Sequence, residues 1–131
     1  MIYFTEQELA CKHCGLFKLH PGFDDALDNL RAAFGGPLIV RSCCRCKVHN
    51  DSEVVKGHPK SLHIGDLPAH AALGQQGTLG IDFETPDGAF RGRLFSLMWG
   101  RSWSIGWNAR LKFLHGDRRD WLGMPQTTFD Y

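Results

Sequence analysis

The sequence predicts an α+β fold, with helices early in the chain and short strands separated by long loops after them. Apolar residues recur at helical spacing between Pro21 and Gly36, whereas residues 37–42, 79–83, 103–107 and 111–115 are brief apolar or alternating runs. The resulting expectation is an antiparallel sheet with flanking helices, in a single domain over residues 1–131.

Thr5 and Glu8 have the spacing of a capping box, so a short helical turn starts after Thr5. In the first long helix Phe23, Leu27, Leu30 and Phe34 form the buried stripe, Asp24 and Asp25 sit in the first turn, and Gly35 and Gly36 stop it. Residues 37–42 read as a short buried strand, and Arg45, His49 and Asn50 as a turn-like stretch. From 56 to 80 the chain is rich in Gly, Pro and His without a period, which reads as loop. A strand follows over 79–83. Thr85 as N-cap and Pro86 at the first helical position then start a second long helix, whose inner face is Phe90, Leu94, Leu97 and Met98. Two strands around the turn Asn108–Ala109–Arg110 complete the pattern, and the tail from Arg118 carries a Trp121–Leu122 contact and little else.

A composition of 43% hydrophobic and 22% charged residues is that of an ordinary globular protein, and a net charge of +1 gives no basic field for a phosphate backbone. Nucleic acid is therefore not an expected partner. No apolar run reaches the length of a membrane span. The start Met1–Ile2–Tyr3–Phe4–Thr5–Glu6 lacks the basic and apolar regions of a secretory signal, so cytoplasmic synthesis is the expectation. A monomer is expected as well.

The side chains that suggest chemistry are His63, Asp82 and His115. Each is planted among apolar or glycine residues, where an unpaired polar group costs free energy. Two imidazoles and a carboxylate are a zinc-ligand set that leaves a fourth position for water. Taken singly, Asp82 reads as a hydrogen-bonded structural acid. His13, His20, His58 and His70 sit in polar or turn contexts and read as solvent-exposed. Asp117, two residues after His115, points to the same side of a strand. It suits either a proton relay or a partner of that histidine. Arg45 is a permanent planar cation that suits a carbonyl oxygen, a carboxylate substrate or a nearby acid.

Five cysteines form two clusters, Cys11 with Cys14 and Cys43 with Cys44 and Cys46. Cys11–Lys12–His13–Cys14–Gly15 resembles a zinc knuckle, and with Cys43 and Cys46 it offers four thiolates for a structural zinc. The plainer reading is small residues buried near one another without metal.

Residues 37–50 resemble the strand-plus-turn segment of the M15 zinc peptidases, which include D-Ala-D-Ala carboxypeptidases and the L-alanyl-D-glutamate endopeptidases of phage lysins. The similarity continues in order through Ser61-x-His63, the Gly-x-x-Gly-x-Asp ending at Asp82, and Phe113–Leu114–His115–Gly116–Asp117, and takes in the opening 4–9 and the first long helix. It implies the small α+β domain shared with the hedgehog signalling domain, with His63, Asp82 and His115 as zinc ligands, Arg45 facing substrate and Ser61 lining the site. The implied activity is hydrolysis of amide bonds in peptidoglycan stem peptides at the bacterial cell wall, by a phage or prophage protein. In that scheme Arg45 and zinc stabilise the oxyanion and Asp117 relays the proton.

The chain departs from that pattern in three places. Asp82 lies nineteen residues after His63, where relatives have seven, so residues 66–77 read as an inserted loop. His70 stands seven residues after His63 and is the rival ligand. Lys112 occupies a position where several relatives carry the acidic general base, which leaves Asp117 or Glu84 for that role. Cys43–Cys44 replaces a usual Gly-Tyr beside the arginine. The Lys112 departure sustains a second expectation, a non-catalytic virion-associated or wall-binding relative. The cysteines sustain a third, a zinc-ribbon-like binding module.

Overall fold

A computed structural model describes residues 1–52 and 55–130. In chain order the elements are α1 (Glu6–Leu9), α2 (Phe23–Phe34), β1 (Val40–Ser42), α3 (Lys47–Asn50), α4 (Pro68–Ala71), β2 (Gly80–Glu84), α5 (Gly88–Trp99), β3 (Ser104–Trp107), β4 (Phe113–Asp117), a 3-10 turn (Arg119–Leu122) and β5 (Thr128–Asp130). The strands form one sheet in the order β1-β2-β4-β3-β5. All its pairings are antiparallel except that of β3 with β5. The fold is therefore α+β with a mostly antiparallel open sheet.

The helices form where local chemistry favours them. Thr5 and Glu8 make the reciprocal capping box that starts α1. In α2, Phe23, Leu27, Leu30 and Phe34 are buried, and Gly35 in the left-handed conformation ends the helix, its N–H reaching the Arg31 carbonyl. The start of α5 differs from expectation. Asp87, not Thr85, is the N-cap and accepts the Phe90 N–H at 2.7 Å. Thr85 lies buried at the end of β2, where its backbone N–H donates to the Lys112 carbonyl. Strand pairing holds Thr85 before the helix can begin, so the next side-chain acceptor takes the cap. Leu94 and Met98 form the buried line of α5, with Phe90 and Leu97 packed partly against the core.

The remaining differences are short elements. Only Val40–Ser42 of the expected first strand pairs, the stretch after Arg45 closes into α3, and the loop between His63 and Asp82 holds the single turn α4. The tail adds β5, a three-residue strand beside β3.

Alternation divides the sheet into two working faces. Ile81, Phe83, Ile105 and Leu114 have no exposed surface and face the core, where Leu27, Leu30, Leu94, Met98 and Trp103 cover them. On the opposite face, rungs of the β2–β4 ladder set Asp82 against His115 and Gly80 against Asp117. A layer of helices thus supports one side, and the polar residues of the other are fixed by the same ladder. Among the described residues, no helix is long and apolar enough to cross a membrane.

Candidate metal centre

The ladder alone brings two of the three expected ligands together, because Asp82 and His115 are direct cross-strand partners. His63 arrives from the loop before β2. Its carbonyl accepts the Arg45 N–H at 3.1 Å and the Thr78 hydroxyl at 2.9 Å, while its own N–H donates to the Ser61 hydroxyl at 3.2 Å. Leu79 N–H adds a bond to the Leu62 carbonyl at 3.0 Å. Gly80 permits the approach: a Cβ there would stand 3.2 Å from both the His63 nitrogen and the His115 ring.

The three donor atoms converge. His63 Nε2 is 3.1 Å from Asp82 Oδ1, His115 Nδ1 is 3.0 Å from the same oxygen, and the two nitrogens are 3.2 Å apart. Ligand atoms about 2.0–2.1 Å from a tetrahedral zinc are roughly 3.3 Å from one another, so this triangle has nearly the right edge.

Protonation makes the fit chemical as well as geometric. His63 Nδ1 is 2.7 Å from the Cys43 carbonyl, which can only accept, so Nδ1 carries the hydrogen and Nε2 presents a lone pair. His115 Nε2 donates to Asp117 Oδ2 at 2.8 Å, so in the neutral ring Nδ1 presents the lone pair. With Asp82 ionised, three lone pairs point at one place in a site where all three residues are at most 5% exposed. Such an arrangement is repulsive until a cation occupies it. A proton is one such cation. Burial depresses the His115 pKa, but its bonds to Asp117 and Asp82 outweigh this and lift it to about 9. Burial keeps His63 below its usual value, with Asp82 opposing and Arg45 reinforcing the shift. Burial also works against the Asp82 carboxylate, yet the facing histidines hold it well below the usual carboxylate range.

The flanking residues take roles that spacing did not reveal. Arg45 donates from Nη2 to Asp82 Oδ2 at 2.9 Å, from Nε to the Ser42 hydroxyl at 2.9 Å and from Nη1 to Asn50 Oδ1 at 3.3 Å. Its first task is to hold the second oxygen of the Asp82 carboxylate. The Ser61 hydroxyl accepts the His63 N–H in the turn that carries this histidine. Asp117 is wholly buried and receives both Nε and Nη2 of Arg119, at 2.9 and 2.8 Å, besides the His115 ring. Burial opposes its ionisation, but Arg119 and His115 hold its pKa to about 2. It therefore stands behind His115, on the ring edge away from the converging lone pairs. The rival ligand His70 does not join the triad. It is buried on α4 rather than exposed, and its Nδ1 has no hydrogen-bond partner among the described residues. Glu84 is half-buried, two residues along β2 from Asp82 and on the same face, opposite Phe113. Lys112 is exposed.

Thr78 and Arg119 belong to this site and went unread in the sequence, and Asn50, which also belongs to it, was read only as part of a turn-like stretch. Arg119 carried a usable signal, since it follows Asp117 by two residues as Asp117 follows His115. Asn50 and Thr78 carried none, because their partners are backbone or side-chain groups brought in by the tertiary fold.

A second group of metal-capable residues is Cys11, Cys14 and Cys46, whose sulfurs lie within 4.8 Å of one another. Cys43 is not part of it. Its thiol is buried in the core beside Cys44, and burial pushes its pKa well up. Both groups are compatible with zinc.

No family model, curated protein or solved structure matches this chain.

Proposed function

We propose that the protein is a zinc-dependent peptidase that hydrolyses amide bonds in the peptide stems of bacterial peptidoglycan, encoded by a phage or prophage. The observation that carries the metal assignment is the convergence of His63 Nε2, His115 Nδ1 and Asp82 Oδ1, with the two outward ring nitrogens tied to Cys43 and Asp117. The substrate class rests on the resemblance of the ordered His63, Asp82 and His115 segments to the M15 peptidases. Zinc held there supplies a Lewis acid and acidifies its water toward neutrality.

The chain's own residues do the rest. Arg45 fixes the Asp82 carboxylate with one N–H of its Nη2. Three of its five N–H groups are used by Asp82, Ser42 and Asn50, which leaves donors for a substrate carbonyl or carboxylate. Asp117 fixes the tautomer of His115 instead of relaying a proton, since its oxygens are committed to His115 and Arg119. The acid best sited to move the proton is Glu84. It shares the face of Asp82, roughly 7 Å along the strand, and stands opposite the neighbour of Lys112.

Digestion of purified sacculi, read by mass spectrometry of the released muropeptides, tests the reading. Zinc-loaded protein releases new amino groups, chelated protein does not, and Glu84→Gln binds zinc normally but loses at least 10²-fold in rate. Full lysis after metal removal refutes the mechanism. Binding to sacculi without new amino groups establishes the non-catalytic wall-binding reading, which Lys112 in the place of an acid favours.

A further inference from the structure

The cysteines gather at a point where the chain needs support. Residues 11–16 close on themselves, with Gly15 N–H on the Cys11 carbonyl at 2.9 Å and Cys11 N–H on the Leu16 carbonyl at 2.8 Å. Gly15 makes this turn possible at φ +76°, where a side chain would be strained. Cys11 Sγ accepts the Cys46 N–H at 3.4 Å, and Cys46 Sγ accepts the His49 N–H at 3.4 Å as the cap of α3. His13 Nδ1 lies 3.4 Å from Cys46 Sγ, and the His49 ring stacks on His13 at 6.2 Å.

We propose that Cys11, Cys14 and Cys46 hold a structural zinc ion as thiolates, and that the His13 imidazole, which touches Cys46 but lies outside the thiolate cluster, turns in as fourth ligand. Sulfur at 2.3 Å and nitrogen at 2.0–2.1 Å from a tetrahedral zinc stand roughly 3.6 Å apart, close to the Cys46–His13 separation. Backbone N–H groups aimed at sulfur favour the charged thiolate that zinc requires. Binding releases the remaining thiol protons to solvent. A dithiol redox pair would use Cys11 and Cys14 alone and give no reason for Cys46 and His13 to join them. All five cysteines are free thiols, and Cys43 and Cys44 are buried in the core, so the knuckle draws on its own set.

The position gives the ion a task. Residues 43–46 run from the first site to this one: the Cys43 carbonyl holds the His63 ring, Cys44 N–H bonds the Leu9 carbonyl, Arg45 holds Asp82 and Cys46 enters the knuckle. A zinc at the knuckle fixes both ends of the segment that aligns His63 and Asp82. This last step rests on the metal reading of the His63 site, whereas the knuckle zinc itself does not.

Metal analysis and cobalt substitution of the purified chain test the proposal. The wild type is expected to bind two zinc ions, and His63→Ala to keep one with intact thiolate-to-cobalt charge-transfer absorption. Cys14→Ser, at an exposed position, is expected to lose one ion together with that absorption. His13→Ala is expected to weaken the knuckle ion at least 10-fold and His13→Cys to restore it, while His49→Ala leaves it unchanged. Alkylation of the unmutated protein gives a readout free of folding defects, with Cys14 protected by zinc and labelled after chelation. One ion lost in His63→Ala with no thiolate bands in the wild type refutes the site. So does an intact mass showing a Cys11–Cys14 disulfide, or Cys14 labelling that ignores chelator. Loss of the ion in His49→Ala but not His13→Ala refutes the fourth ligand.

Discussion

The outer nitrogen of each histidine decides what its inner nitrogen can do. A ring fixed at Nδ1 by a carbonyl offers Nε2 as a lone pair, and a ring fixed at Nε2 by a carboxylate offers Nδ1. His63 and His115 use opposite nitrogens for the same purpose, which is why a loop residue and a strand residue can meet at one point. Asp117 is then the most informative residue to change. In Asp117→Asn the side-chain amide can donate to His115 Nε2, which favours the wrong tautomer, and Arg119 loses its counter-charge. Zinc affinity at the His63 site should fall about 10–100-fold, measured by competition with a chromogenic chelator, with the fold retained by circular dichroism. Unchanged affinity would return Asp117 to consideration as a group that acts on substrate.

At the scale of elements, the β2–β4 ladder is the organising device. It places Asp82 beside His115 by register alone, and its far end delays α5 until Asp87. This yields a paired prediction. Asp87→Ala should destabilise the protein by about 1 kcal/mol through the lost cap. Thr85→Val should cost nothing or stabilise slightly, because the Thr85 hydroxyl is buried without a partner among the described residues. Urea midpoints compare the two, and a larger loss for Thr85→Val would show that Thr85 carries the cap. The same contrast explains what was legible in the sequence. Helix α2 was readable because burial, early acids and terminal glycines agree over twelve residues. His63, Asp82 and His115 were readable because each breaks an apolar context. Strand β5 was not, since three residues with an exposed, half-buried, exposed pattern gain their order from β3 and carry no period of their own. The burial of His70 and the tasks of Arg45 and Asp117 were likewise set by partners distant in sequence or by ring orientation, which spacing does not encode.

On the scale of the whole molecule, a helix-covered core face supports a sheet whose other face concentrates charge that needs compensation. On the proposed metal reading, ion binding is also a folding equilibrium, since the unfolded chain has no preformed triad. Free zinc at a hundred times its dissociation constant contributes about 2.7 kcal/mol, which for a domain of this size raises the melting temperature by roughly 10 °C. The pH dependence should differ between the two forms. In chelated protein the His115 proton stands in for the metal. Its folded pKa of about 9 lies above the ordinary histidine value of 6.5, so the stability it contributes is fully present below 6.5 and lost as pH rises through 9. The melting temperature of chelated protein should therefore fall across that window from this group. Zinc-loaded protein should be spared this loss, because zinc occupies the place of that proton and becomes easier to bind as the competing proton leaves. Calorimetry of both forms between pH 6 and 9 should show the gap between them widening. A gap that stays constant or narrows would mean that the ion binds without displacing the His115 proton, and the convergence of lone pairs would not be its binding site.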